Sequence, residues 1–176
     1  PGSKTDSEKV GRGDGLYGVR MTAPTAMGPD VGATFCGRLA LIVDDAAILI
    51  IDRVLAREIA RTEARMHSYK KVTISKHGAV IKGEQESARV TYGSLEKAGL
   101  FSATTAPATP TEPSATMLRW CPLLLHKEAV LVTLVTPNRA AASASVERDG
   151  KNFAVRITVR GVTRSILVRP SLSLVK

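Results

Sequence analysis

The most regular apolar spacing in the chain lies in DDAAILIIDRVLAREIARTEARMH, residues 44–67. Ile48, Ile51, Leu55 and Ile59 recur at three- and four-residue steps, the spacing that gathers side chains on one face of a helix. Asp44 or Asp45 is placed to cap such a helix, with acids near its start and arginines near its end in the sense the helix dipole favours. The pattern predicts one long helix here. Glu58 falls near the middle of the apolar face, and Ile50 and Leu49 fall off it, so the first turns are expected to be covered on more than one side.

Elsewhere the pattern alternates. GLYGVRMT (15–22) and FCGRLALIV (35–43) predict strands, separated by a loop broken by Pro and Gly (23–34). KKVTIS (70–75), GAVIKG (78–83) and SARVTYG (87–93) predict a three-strand meander wet on one side. SLEKAGLF (94–101) suggests a helical turn. LRWCPLLL (118–125) and EAVLVTLVTP (128–137) are apolar runs, the second on both parities, as in a central strand.

ERDGKNFAVRITVRGVTRSILVR (147–169) predicts a second meander. A turn at Asp149-Gly150 would pair Val146 with Phe153 and Ala144 with Val155. A turn over Arg160 to Thr163 would pair Ile157 with Ile166 and Val155 with Val168. The inner face is then Ala, Val, Phe and Ile. Ser143, Ser145, Ala154, Arg156, Thr158, Ser165, Leu167 and Arg169 form the outer one.

These elements predict an α+β fold: one main helix packed on antiparallel sheet, or a partly closed barrel. Over roughly residues 15–140 the element order is loosely similar to that of phosphotyrosine-binding and other pleckstrin-like domains. The likeness is one of order alone, since those domains end in a helix and this chain ends in strands. Residues 1–14 read as a disordered tail that opens on Pro-Gly-Ser, the scar of a cleaved affinity tag. Residues 15–176 read as a single domain. SATTAPATPTEPSATM (102–117) has little to bury and predicts a flexible loop; the alternative is two small parts, 15–101 and 118–176.

Composition adds a core of Val, Ile, Leu and Ala, because aromatics are only 4% of the chain. No apolar run is long enough to span a membrane as a helix. Net charge is +9, and residues 113–176 carry ten Lys/Arg against three acids. Such an excess suits a protein partner with an acidic surface, nucleic acid or anionic lipid.

Candidate chemistry is sparse. Arg53, Arg57, Arg61 and Arg65 form a four-step stripe that could grip phosphates or serve as a solvated face. Arg156, Arg160 and Arg169 mark the outer face of the second meander, which has no aromatic on which a base could stack. The binding candidates are therefore Arg57, Arg61, Arg65, Arg156, Arg160 and Arg169. Cys36 and Cys121 read as free thiols in a reducing compartment, hence an intracellular, cytoplasmic setting. With His67, His77 or His126 they would make an incomplete zinc set, and no metal or cofactor is expected. GDGLYG (13–18) has the GxGxxG spacing but precedes a strand, where a phosphate loop requires a helix. RGD (12–14) is a short match in the same tail. No histidine sits in a nucleophile motif. The expectation is a non-catalytic interaction or scaffolding module excised from a larger protein. A nucleic-acid or anionic-lipid binder is the alternative.

Overall fold

The computed structural model describes residues 6–23, 32–75, 78–96, 98–107, 114–138 and 140–175. Among these residues every regular element is a strand, β1 to β14, and none is a helix. The α+β expectation, with its pleckstrin-like ordering, is thereby corrected to an all-β fold.

The correction centres on residues 44–67. They form β4 (Ala47–Ala60) and β5 (Ala64–Ser68). Asp44 and Asp45 do not cap a helix; with φ of 52° and 50° they make the turn between β3 (Ala33–Val43) and β4, where the Ala46 amide donates to the Val43 carbonyl at 3.0 Å. Asp tolerates this left-handed conformation better than most residues, so one residue type serves either role. β4 lies between β3 and β11 (His126–Pro137), hydrogen-bonded on both sides. Those two ladders override the local helix propensity. Of the four residues expected to share a buried face, only Ile51 is buried; Ile48 is 46% exposed and Ile59 60%.

The eight-stranded sheet has the order β1-β2-β3-β4-β11-β8-β7-β6. It includes β1 (Asp6–Arg12), in the tail expected to be disordered, and β2 (Leu16–Thr22). The first meander forms its other edge: β6 (Lys71–Ser75), β7 (Gly78–Lys82) and β8 (Ser87–Ser94). A second sheet, β5-β10-β9, takes in much of the predicted flexible loop, because β9 is Gly99–Pro107 and β10 is Ser114–Pro122. Nine paired positions between β9 and β10 satisfy the backbone of a segment whose small Ala and Thr side chains have little to bury. The third sheet is β12 (Ala142–Asp149), β13 (Asn152–Val159) and β14 (Val162–Val168).

The last meander keeps its predicted faces but not its predicted pairs. Val146 pairs with Val155 rather than Phe153, and Val155 with Ile166 rather than Val168. Each ladder is two residues from expectation, a shift that leaves every side chain on the same face. Turn chemistry explains it. Gly150 is the first loop residue and has φ of 56°; in the next turn Arg160 and Gly161 both have positive φ (52° and 83°), as a type I′ turn requires.

The sheets stack in three layers. Val130, Val132 and Leu134 of β11 join Leu39, Leu41, Leu49 and Ile51 against Phe153, Val155, Ile157 and Ile166 of the third sheet. Leu131, on the opposite parity, joins Val90 and Tyr92 against Ala64 and Trp120 of the second. The eight-stranded sheet is thus the middle layer. Gly93 lets β8 and β12 meet closely: a Cβ there would lie 2.6 Å from the Ala144 carbonyl oxygen.

Candidate functional site

Alternation assigns each strand two faces, and the two outer sheets use them unequally. The third sheet covers β3, β4 and β11 on one side. On the other side the second sheet packs over β7, β8 and β11. Beyond β11 the opposite face of β2, β3 and β4 remains in contact with solvent.

Register builds that face row by row. Tyr17, Ile42 and Ile48 lie side by side, then Val19, Ala40 and Ile50, then Met21, Arg38 and Asp52. Cys36 and Val54 make the fourth row. Tyr17 is 46% exposed, Ile42 37% and Ile48 46%. The only charges among these residues are Arg38 and Asp52, which face each other bidentately at 2.6 and 3.0 Å. Tyr17 donates its hydroxyl to Asp45, and that bond first, burial second, pushes the phenol above its ordinary pKa.

A concavity lies at each end of the strip. One, of about 450 Å³, is lined by Ile42, Ile48, Ile81 and Val135 beside Asp45, Lys70 and Glu86. The other, of about 540 Å³, lies where the second sheet parts from the middle one, between Cys36, Arg38, Asp52 and Ala56 on one wall and Arg61, Glu63 and Arg65 on the other. Burial raises the Cys36 thiol above its usual range, Asp52 adds to the shift and Arg38 opposes it.

The six arginines singled out in the sequence do not converge. Arg156, Arg160 and Arg169 are exposed on the third sheet or at its turns, and Arg156 lies 3.7 Å from Glu147. Arg57 is exposed on β4. Arg61 and Arg65 do come together: both pair with Glu63, at 3.5 and 2.9 Å, and both line the second concavity. Arg61 Nε also donates to Cys121 Sγ at 3.1 Å.

Arg53, first of the stripe, serves the interior. It points to the third-sheet side, donates to Glu128 and to the Pro170 carbonyl at 2.8 Å each, and lies 4.9 Å from the Phe35 ring centroid. Arg148 completes the group by pairing with Glu128 and stacking 5.1 Å from Phe153. Arg164, also passed over in the sequence, reaches Asp44 and Asp14 across the turn end of the middle sheet.

Cys121 is buried, His67 is exposed on β5, and His77 lies outside the described residues. His126 Nε2 is 3.2 Å from Glu96 Oε1, close enough for an ion pair but off the line of a hydrogen bond. Among the described residues no three His, Cys, Asp or Glu side chains are grouped to hold a metal ion, and no helix is long and apolar enough to cross a membrane.

The apolar strip escaped sequence reasoning, although a signal for it existed. LALIV in β3 and ILII in β4 are apolar on both parities, the mark of strands covered on both faces.

No family model matches the chain, and no curated protein matches its sequence. Its fold does match solved structures. Heparinase III superposes with a TM-score of 0.74 at 14% identity, over 93% of this chain and 27% of that one. A second heparinase III, with methylated lysines, gives 0.70 at 11% identity over 94% and 27%. A heparan sulfate lyase from Pedobacter heparinus gives 0.66 at 14% identity over 94% and 28%. At these identities the likeness establishes the fold. The chain spans little more than a quarter of the length of those proteins.

Proposed function

We propose that this chain is a non-catalytic interaction module of a larger protein, and that the uncovered half of its middle sheet receives a protein surface. One observation carries the reading. β3 and β4 have the two-sided apolar sequence of strands buried on both faces, yet one face leaves Ile42 and Ile48 exposed beside Tyr17 of β2. A contiguous apolar patch of this kind is a common signature of a binding surface. The lengths of the structural neighbours fit a module that works beside further protein.

The experiment places a photoreactive phenylalanine analogue at position 48 in cells of the source organism. A discrete cross-linked protein is expected, absent when the analogue is moved to position 143 on the outer sheet. Equal yields at the two positions would refute the reading.

Contact with an anionic polysaccharide is a second reading. It is favoured by the +9 net charge, by the paired Arg61 and Arg65 at the cleft, and by the names of the neighbours, a heparinase and a heparan sulfate lyase. Retention on immobilised heparin tests it. Polyanion contacts weaken steeply with salt, and Arg61→Ser with Arg65→Ser should lower the eluting salt. The outer arginines support nucleic acid or anionic lipid less well, since no exposed aromatic accompanies them.

A further inference from the structure

The second sheet has an outer face of its own, and the charges there do not balance. Trp120 and Phe101 mark its inner side, packed with Tyr92 against the middle sheet. Alternation turns Arg65, Arg119 and Ser102 the other way, and the ladders set them in one row across β5, β10 and β9. The row meets water. The Arg65 side chain is 57% exposed, and Leu100 in the next row is exposed too.

Among the described residues Glu63 is the one carboxylate paired with these arginines, and it is shared. Arg65 donates to it through Nε at 2.9 Å, and Arg61 approaches at 3.5 Å. The Arg119 side chain has no ion pair among the described residues, and its Nε is buried without an acceptor. Directly opposite it on β5 stands a second guanidinium, that of Arg65. Like charges opposed across an antiparallel pair repel, and a guanidinium drawn out of water without an acceptor is penalised again. Both penalties fall on Arg119. In the Arg53–Glu128–Arg148 group an acid lies between the two cations; here no carboxylate of the described residues does so.

We infer that the Arg65–Arg119–Ser102 row, flanked by Arg61, binds a sulfate or phosphate group, as the free ion or as an ester. Cross-strand neighbours stand about 5 Å apart at Cβ, so both guanidinium forks reach one group held above the row. Ser102 adds a hydroxyl from the third strand. Donors arriving from three strands suit an anion with at least three oxygens, which sulfate and phosphate have and a carboxylate lacks. A nucleobase would find nothing to stack on, since Phe101 and Trp120 face inward. The site lies apart from the docking strip and goes beyond that reading. It shares Arg61 and Arg65 with the polysaccharide reading but needs no polymer.

Thermal melts of the whole chain in sodium sulfate and in sodium phosphate, against sodium chloride at equal ionic strength, test the inference. Arg119→Gln removes the site, and Arg156→Gln on the third sheet is the control. A bound ion stabilises by mass action, so the midpoint climbs with ion concentration once the site fills. Sulfate and phosphate also strengthen apolar burial without binding, but they do so alike in all three proteins. The parent and Arg156→Gln should gain more than Arg119→Gln, whose fitted dissociation constant should be weaker by at least about tenfold, as for a lost charge-assisted pair. Should Arg119→Gln fail to fold, Arg119→Lys gives the same comparison, since an ammonium keeps the charge but not the fork. Equal gains in parent and variant would mean a general salt effect only, and overturn the inference. A sulfated disaccharide and a sugar phosphate then read the source: Arg119-dependent binding tighter than that of the free ions assigns an ester, and equal or weaker binding assigns the ion. Heparin retention that falls with Arg61→Ser and Arg65→Ser, while the melts ignore Arg119→Gln, would keep the polysaccharide reading and remove this one.

Discussion

Two of the sheet faces that meet solvent in this protein are built differently. The outer face of the third sheet carries Ser143, Ser145, Arg156 and Ser165, all exposed, opposite the buried Val146, Val155, Ile157 and Ile166. That is alternation, broken on the outer side by Ala154 and Leu167. The uncovered face of β2, β3 and β4 carries Tyr17, Val19, Ala40, Ile42, Ile48 and Ile50, while its opposite face is as apolar. Exposure alone does not distinguish the two faces, since both meet water in the isolated chain. Residue type does: one face suits water, and the other suits a cover that this chain does not supply.

The sharpest contrast is between the interior and the strip. Phe153 is fully buried against the middle sheet, with Arg53 and Arg148 beside its ring. Phe153→Ala should cost about 3–5 kcal/mol, as large cavities do. Ile51→Ala, also at 0% exposure, should cost about 2–5 kcal/mol. On the opposite face of the same strand, Ile48→Ala should cost far less. Urea melts that gave equal losses at positions 48 and 51 would mean that the strip is core and the comparison false.

Legibility in the sequence follows the same division. The third sheet's faces could be read from alternation alone, because each apolar residue had a polar neighbour to mark the opposite face. Its pairings could not, since a two-residue slip preserves the faces and only turn geometry at Gly150 and Arg160-Gly161 selects among registers. β4 was misread for a related reason. Ile51, Leu55 and Ile59, at four-residue steps, share a face in a strand as well as in a helix, because four is a multiple of two. Ala, Leu, Arg and Glu then tipped the local reading towards helix, whereas the ladders that fix β4 come from β3 and from β11, about eighty residues further along. Of the site, the Arg61–Arg65 pair was legible as residues but not as a pair through Glu63. The Arg53–Glu128–Arg148 group was invisible, since its members come from β4, β11 and β12.

That group supplies the next contrast, between charge used inside and charge left outside. Burial of Glu128 opposes its ionisation, but hydrogen bonds and charge from Arg53 and Arg148 outweigh it and hold the carboxyl below the usual glutamate range. A depressed carboxyl stabilises the fold above its unfolded pKa, and that stability is lost as pH falls through its folded pKa. Acidification should therefore weaken the protein through this group. Glu128→Gln should cost about 1–2 kcal/mol at neutral pH, after allowance for solvent screening at a side chain 20% exposed. It should also flatten the acid limb of a plot of stability against pH. An unchanged limb would place the acid sensitivity elsewhere.

A smaller effect on stability, but a larger one on behaviour, is expected in the strip. Ile42→Ser with Ile48→Ser removes one apolar cross-strand pair on a solvent-facing sheet, worth about 0.2–1 kcal/mol. The double variant should bind a hydrophobic dye less and self-associate less than the parent chain. Should dye binding stay the same while the fold remains intact, the apolar rows are not the sticky surface, and the contrast with the outer sheet loses its meaning.

The smallest effect belongs to the outer arginines. Arg156 makes one loose contact with Glu147 at 3.7 Å, and Arg160 contributes its backbone to a turn, donating its amide to the Ala141 carbonyl at 3.0 Å. Neither side chain supports the core. Arg156→Ser with Arg160→Ser should shift stability by less than about 0.5 kcal/mol, the usual range for exposed substitutions. Position 160 sits in left-handed backbone, where Ser is no worse placed than Arg, so the turn itself should survive. Because the face lacks stacking aromatics, the double change should also leave the cross-link from position 48 intact. Loss of that cross-link with the melt unchanged would make the basic face, rather than the apolar strip, the surface that holds the partner.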